Sequence, residues 1–196
     1  MIPRHLLIGI VVMIALALGI ALYLGHVRRH VERADTNSAN TQVVAPPISG
    51  PTEQVTLYVA YDADGLLHAR ATRIPLPAGR QERAQELLRA LLNIYLDRTS
   101  PHPLGPGSEV REVYMVDPGL AVIDLNAAFA DGHRSGILVE ELTLASLGET
   151  VAANIPGIAR IKILIDGKER ETLAGHVDLM RFYDISGIQQ LAAQLQ

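Results

Sequence analysis

The chain has 196 residues, no cysteine and no tryptophan, and its 17 Lys or Arg against 21 Asp or Glu leave a formal net charge of −4. Without cysteine it holds no disulfide, no thiolate metal site, no cysteine nucleophile and no Cys-linked lipid. With two Phe and no basic stripe interleaved with aromatics, the composition speaks against a nucleic-acid-binding surface.

A tail over residues 1–5 leads into an uncharged apolar run over residues 6–24. At about 1.5 Å per residue, a helix of that length reaches roughly the 30 Å of bilayer hydrocarbon. Tyr23 sits where an amphipathic ring favours the headgroup boundary, and Arg4, Arg28 and Arg29 bracket the run. The pattern predicts a transmembrane helix retained as a signal-anchor. The alternative is a cleaved secretory signal, whose apolar region is usually about 7–15 residues and ends at a small-x-small site. Here the sole Ala-x-Ala, Ala15-Leu16-Ala17, lies inside the run. Arg4 and the α-amino group stand before the run against Arg28, Arg29 and Arg33 after it, a count that alone favours a cytoplasmic C-terminal side.

Residues 25–52 read as a juxtamembrane segment and flexible linker. From Glu32 the composition turns to Thr, Ser, Asn and Gln and then to Pro46-Pro47-Ile48-Ser49-Gly50-Pro51. Such a stretch buries too little apolar area to offset about 1–2 kcal/mol of backbone ordering entropy per residue. From Glu53 onward one domain is expected, with 13 Lys or Arg against 19 Asp or Glu.

Val55 to Tyr61 alternates as a strand, Asp62 to Gly65 turns the chain, and Ala69 to Leu76 reads as an edge strand ended by proline. Arg80 to Tyr95 places Ala84, Leu87, Leu88, Leu91, Leu92 and Tyr95 on one helical face. The loop Ser100 to Gly107 is too rich in Pro and Gly for a regular element. Val110 to Val116 and Leu120 to Leu125 form a hairpin about Asp117-Pro118-Gly119. Gly136 to Asn154 reads as a second helix closed by Pro156-Gly157, Ile158 to Ile165 as a strand ending in Asp166-Gly167, and Ile185 to Leu195 as a short terminal helix. The order implies an α/β (α+β) domain with a small mixed sheet and two helices on one face.

Several of these segments resemble the GerMN domain family of sporulation and spore-germination proteins. The resemblance rests on Val55-Thr-Leu-Tyr-Val59, Leu87-Leu-Arg-Ala-Leu-Leu92, Ala121-Val-Ile-Asp-Leu-Asn126 with Phe129, and the run Thr150 to Gly167 with Gly175-His-Val-Asp178. It covers roughly Val55 to Asp178 in a single copy. The chain departs from the family after the first helix, where Asn93-Ile-Tyr-Leu-Asp97 and the Pro-rich loop stand in place of Gly-Pro, so nothing is carried over to that loop. The resemblance implies a GerMN-like domain over residues 53–180, similar to ring-building modules, with a C-terminal extension over 181–196. It also implies a single-pass protein of the cytoplasmic (inner) membrane with its domain outside the cytoplasm, against the charge count. It implies, too, a protein-binding role in the cell envelope, in sporulation, germination or cell-wall processes, with envelope proteins, a second copy or cell-wall material as partners.

No catalytic residue, metal or cofactor is expected. The weak metal candidates are His176 and Asp178, which as alternate residues on a strand would share a face, with His133, Asp131 and His102 as additions that spacing does not unite. The bland reading is that His176 and Asp178 satisfy backbone groups. Asp124, ending an apolar strand, is read as bracing the loop that leads to Phe129 rather than as an acid or base. Ser135 and Ser146 lack a nucleophile context, and the glycines around Gly105-Pro-Gly107 lack the Lys-Ser/Thr of a phosphate loop. The rival reading is an envelope hydrolase, metal-dependent or acid/base, built on Asp124, His176 and Asp178.

Overall fold

The computed structural model describes residues 52–194 except Leu76 and Asp117. The predicted anchor at 6–24 and nearly all of the linker lie outside them. Among the described residues no helix is long and apolar enough to cross a membrane.

Strand β1 (Thr52–Tyr61) pairs antiparallel with β2 (Leu66–Pro75) through a continuous register from Thr52↔Pro75 to Tyr61↔Leu66. Helix α1 (Arg80–Tyr95) follows and buries the six apolar residues that its periodicity marks. Each fully buried Leu of that face contributes about 1.5–3 kcal/mol relative to exposure. Strands β3 (Val110–Val116) and β4 (Leu120–Leu125) form the hairpin. The short helix α2 (Ala127–Asp131) is capped by Asn126, whose Oδ1 accepts from Phe129 N–H at 3.1 Å. Helix α3 (Ile137–Asn154) then crosses over to β5 (Arg160–Ile165), parallel to β4. A two-residue β6 (Tyr183–Asp184) and helix α4 (Ile185–Gln194) complete the domain. The domain is α+β.

The single sheet expected from strand order is in fact two, β1-β2 and β3-β4-β5-β6. The cause lies on α3. Its Ser146, Thr150 and Asn154 fall on one helical stripe and satisfy the edge of β1 that a third strand would otherwise take. Thr150 Oγ1 accepts from Tyr58 N–H at 3.0 Å, and Ser146 Oγ donates to Tyr58 C=O at 2.5 Å. Asn154 accepts from Thr56 N–H at 3.1 Å and donates to Thr56 C=O at 2.7 Å. Tyr95 Oη accepts from Ala60 N–H at 2.8 Å and bonds Ser146 Oγ; burial pushes this phenol up to about 12. Opposite the stripe, Gly148 lets Ile161, Ile185 and Ile188 close on the helix, so α3 is enclosed along Leu142–Val151.

Sequence reasoning missed α2 and β6, each too short to display a period. Where Ala69 was expected to open β2, pairing begins at Leu66.

Candidate functional site

A groove of about 670 Å³ opens between the N-terminal half of α3, the segment from Gly175 to Arg181, β6 and α4. Its apolar surface comes from Ile137, Leu144, Val177, Tyr183 and Ile188, and its charges from Glu141, Asp178, Arg181 and Asp184. The guanidinium of Arg181 lies over the Tyr183 ring, 4.8 Å from its centroid.

The wall of this groove is a segment with little regular structure, and two buried charges of opposite sign hold it. From one side Glu140, fully buried in the first turn of α3, accepts from the backbone N–H groups of Ala174, His176 and Val177 at 3.1, 3.0 and 2.9 Å. It also accepts from Gly136 N–H at 3.2 Å and pairs with His176 Nδ1 at 2.9 Å. Burial opposes its ionisation, but these donors outweigh burial and bring the carboxyl down to about 2. From the other side Lys162, buried on β5, donates to the C=O groups of Leu179 and Met180 at 2.9 and 2.7 Å and pairs with Glu169 at 2.9 Å. A carboxylate thus collects N–H groups and an ammonium collects C=O groups, which is how an irregular segment avoids orphaned polar atoms.

His176 and Asp178, the predicted metal candidates, both line the groove but sit on this segment and not on a strand. Its β pairing is a single isolated bridge, Thr172↔Asp178. Their side chains are spent separately, His176 on Glu140 and Asp178 on Met180 N–H at 2.8 Å. Among the described residues no cluster of three or more His, Asp or Glu is arranged to hold a metal. Ser135 Oγ also approaches His176, at 3.4 Å, but it meets the same Nδ1 that Glu140 holds. A proton relay needs the acid and the nucleophile on opposite ring nitrogens, so these three side chains do not form one.

Asp124 lies elsewhere, on β4. Its Oδ1 accepts from Gly167 N–H at 2.7 Å, and Arg111 Nε stands 3.7 Å from Oδ2. It braces the turn after β5, whereas Asn126 does the bracing toward Phe129 that was expected of Asp124. The structure therefore does not assemble Asp124, His176 and Asp178. Asp131 is likewise drawn away, pairing with Arg170 at 2.7 Å.

His102 and His133 do meet. Both Nε2 atoms lie 2.7 Å from Thr143 Oγ1 on α3. His102 Nδ1 faces Asp62 at 2.6 Å, His133 Nδ1 donates to Arg134 C=O at 2.7 Å, and Arg134 returns to Asp62 at 2.6 Å. Burial lowers both imidazoles below their ordinary value, against the raising effect of Asp62 on His102 and of the Arg134 C=O on His133. The Pro-rich loop delivers His102 here because Gly105 packs against Gly132, where an added Cβ would stand 2.7 Å from a backbone Cα. This network joins the 100–107 loop, α3 and the β1–β2 turn; it does not line the groove.

A family model described as Germane: Sporulation and spore germination matches residues 56–171, more than half of the chain. No curated protein sequence matches. Among solved structures, the tandem GerMN domains of the sporulation protein GerM from Bacillus subtilis are similar at 17% identity and TM-score 0.50, over 67% of this chain and 45% of that one. The first GerMN domain of the same protein matches at 17% identity and TM-score 0.45, over 66% of this chain and 95% of that one. A protein from Clostridium perfringens described as a lipoprotein matches at 18% identity and TM-score 0.47, over 76% of this chain and 97% of that one. The likeness to the tandem domains bears on the fold alone.

Proposed function

Because the chain belongs to the Germane family of sporulation and spore germination, we propose that it is a non-catalytic binding or assembly module of the bacterial cell envelope. Residues 6–24 hold it at the cytoplasmic membrane, residues 25–52 tether it, and the domain works on the extracytoplasmic face. The apolar run and the polar linker support the tether. The observation that carries the binding role is the groove itself. It offers an apolar floor and a charged rim, the usual make-up of a recognition surface, while its one histidine is tied to a buried carboxylate through the nitrogen a serine would need.

Complementation of a deletion strain tests the role. His176→Gln keeps the backbone bonds of Glu140 and is expected to restore function, while Ile137→Glu, which places a charge on the groove's apolar surface at an exposed position, is expected to lose it with the fold retained. Loss of function in a folded His176→Gln chain, with Ile137→Glu active, would replace the binding role with a catalytic one. Trypsin added to intact spheroplasts is expected to cleave the domain; protection until lysis overturns the extracytoplasmic placement.

A further inference from the structure

The outer edge of β2 is built to accept another strand. The backbone groups of Thr56, Tyr58 and Ala60 on β1 turn away from β2, toward α3 and Tyr95. In an antiparallel ladder, residues opposite such positions also turn away from their partner strand. The register places Ala71, Ala69 and Leu67 opposite those three, and Arg73 opposite Gln54. The N–H and C=O groups of Leu67, Ala69, Ala71 and Arg73 therefore point outward, and among the described residues none has a backbone or side-chain partner. His68, Ala69, Arg70, Ala71 and Arg73 are exposed.

The two edges of the hairpin contrast sharply in treatment. The β1 edge is closed by a helical stripe of side chains, whereas the β2 edge runs for ten residues, roughly 30 Å, with no cover among the described residues. Charge identifies its occupant. Leu66–Pro75 contains no carboxylate, Arg70 projects from one face and Arg73 from the other, and neither is in an ion pair among the described residues. His68 pairs with Asp64 in the turn. This is a cationic strip on a domain whose acids outnumber its bases. A second copy would bring four arginines into one short ladder, where like charges oppose pairing. The geometry points to an extended, acidic segment of a partner protein that adds to β2 by main-chain hydrogen bonds, with carboxylates on both faces reaching Arg70 and Arg73. This surface is independent of the groove.

Hydrogen–deuterium exchange on the full chain in detergent micelles tests it, with a blocked ten-residue peptide of alternating glutamate and valine as probe. Exchange at the outward amides of Leu67, Ala69, Ala71 and Arg73, followed residue by residue, is expected to slow at least about tenfold with this peptide and not with its lysine counterpart. Ala71→Pro removes an outward N–H at an edge position that tolerates proline, and is expected to abolish the protection. The double variant Arg70→Glu/Arg73→Glu is expected to reverse the preference between the two peptides. Equal protection by both peptides, or by neither, overturns the proposal. So does protection of the outward amides of Leu67, Ala69, Ala71 and Arg73 without peptide: if independent of concentration, the chain covers its own edge, and if accompanied by a dimer mass, the occupant is a second copy.

Discussion

Glu140 shows how one side chain can set the position of four residues, Gly136, Ala174, His176 and Val177. Its carboxylate is the shared acceptor for the segment from Ala174 to Val177, so Glu140→Ala leaves three N–H groups, that of Val177 buried and those of Ala174 and His176 part-buried, without a partner. The expected cost is about 3 kcal/mol, read as a lowered midpoint in urea, with the loss concentrated in exchange protection around Ala174–Val177. Acid should act in two stages. His102 and His133 stay neutral in the fold below their ordinary 6.5, so the unfolded chain binds more protons and stability falls as pH drops through that value. Glu140 contributes fully above its ordinary 4.5, and its contribution is lost as pH falls toward about 2. Urea unfolding at about pH 7, 5 and 3 should show both stages, and His102→Asn/His133→Asn should flatten the upper one alone. None of this was legible beforehand. Glu140 adjoins Glu141 in an ordinary first helical turn, and nothing in spacing separates the acid that reaches inward from the one on the groove rim.

Among the elements, those with a clear period were readable and those defined by a partner were not. The bounds of α1, β3 and β4 follow from apolar spacing and from the Pro-Gly turn, because a core face and a turn are local properties. Which strands share a sheet is not local. The small polar residues Ser146, Thr150 and Asn154 look like the solvated side of a helix, yet all but Asn154 are buried and they substitute for a strand beside β1. Asn154→Ala is therefore expected to cost about 2 kcal/mol, since it uncovers both Thr56 N–H and Thr56 C=O, whereas an exposed Asn→Ala change costs little. Faster amide exchange at Thr56, with Tyr58 unaffected, is the local sign to look for. The misreading of His176-x-Asp178 has the same origin. Alternation gives a shared face only on a strand, and this segment owes its shape to Glu140 and Lys162, which are remote in sequence.

Across the whole molecule, α3 is the element to which everything else is referred. It closes β1 with one stripe, receives α4 and β5 on the opposite side at Gly148, and supplies one wall of the groove. A bulky side chain at Gly148 has no room, because even a Cβ would stand 2.7 Å from Ile188 Cδ1. Gly148→Leu is expected to cost about 2 kcal/mol and to loosen α4, and with it the groove, while the β1–β2 hairpin keeps its exchange protection. Uniform loss of protection over the whole domain would show instead that α3 cannot tolerate movement on any side.

The turn after β5 carries one more consequence. Asp166 and Gly167 both have positive φ, 51° and 72°, and among pairs that begin with aspartate, Asp-Gly is the one most prone to cyclise through attack of the glycine nitrogen on the aspartate side chain. Here that nitrogen is engaged by Asp124, and the Asp166 carboxylate is held by Arg111 at 2.9 Å. Both reacting groups are restrained apart from the bond they would form. The buried carboxylate of Asp124 thereby protects the backbone from slow chemical ageing, and Asp124→Ala should accumulate isoaspartate at this peptide bond on prolonged storage.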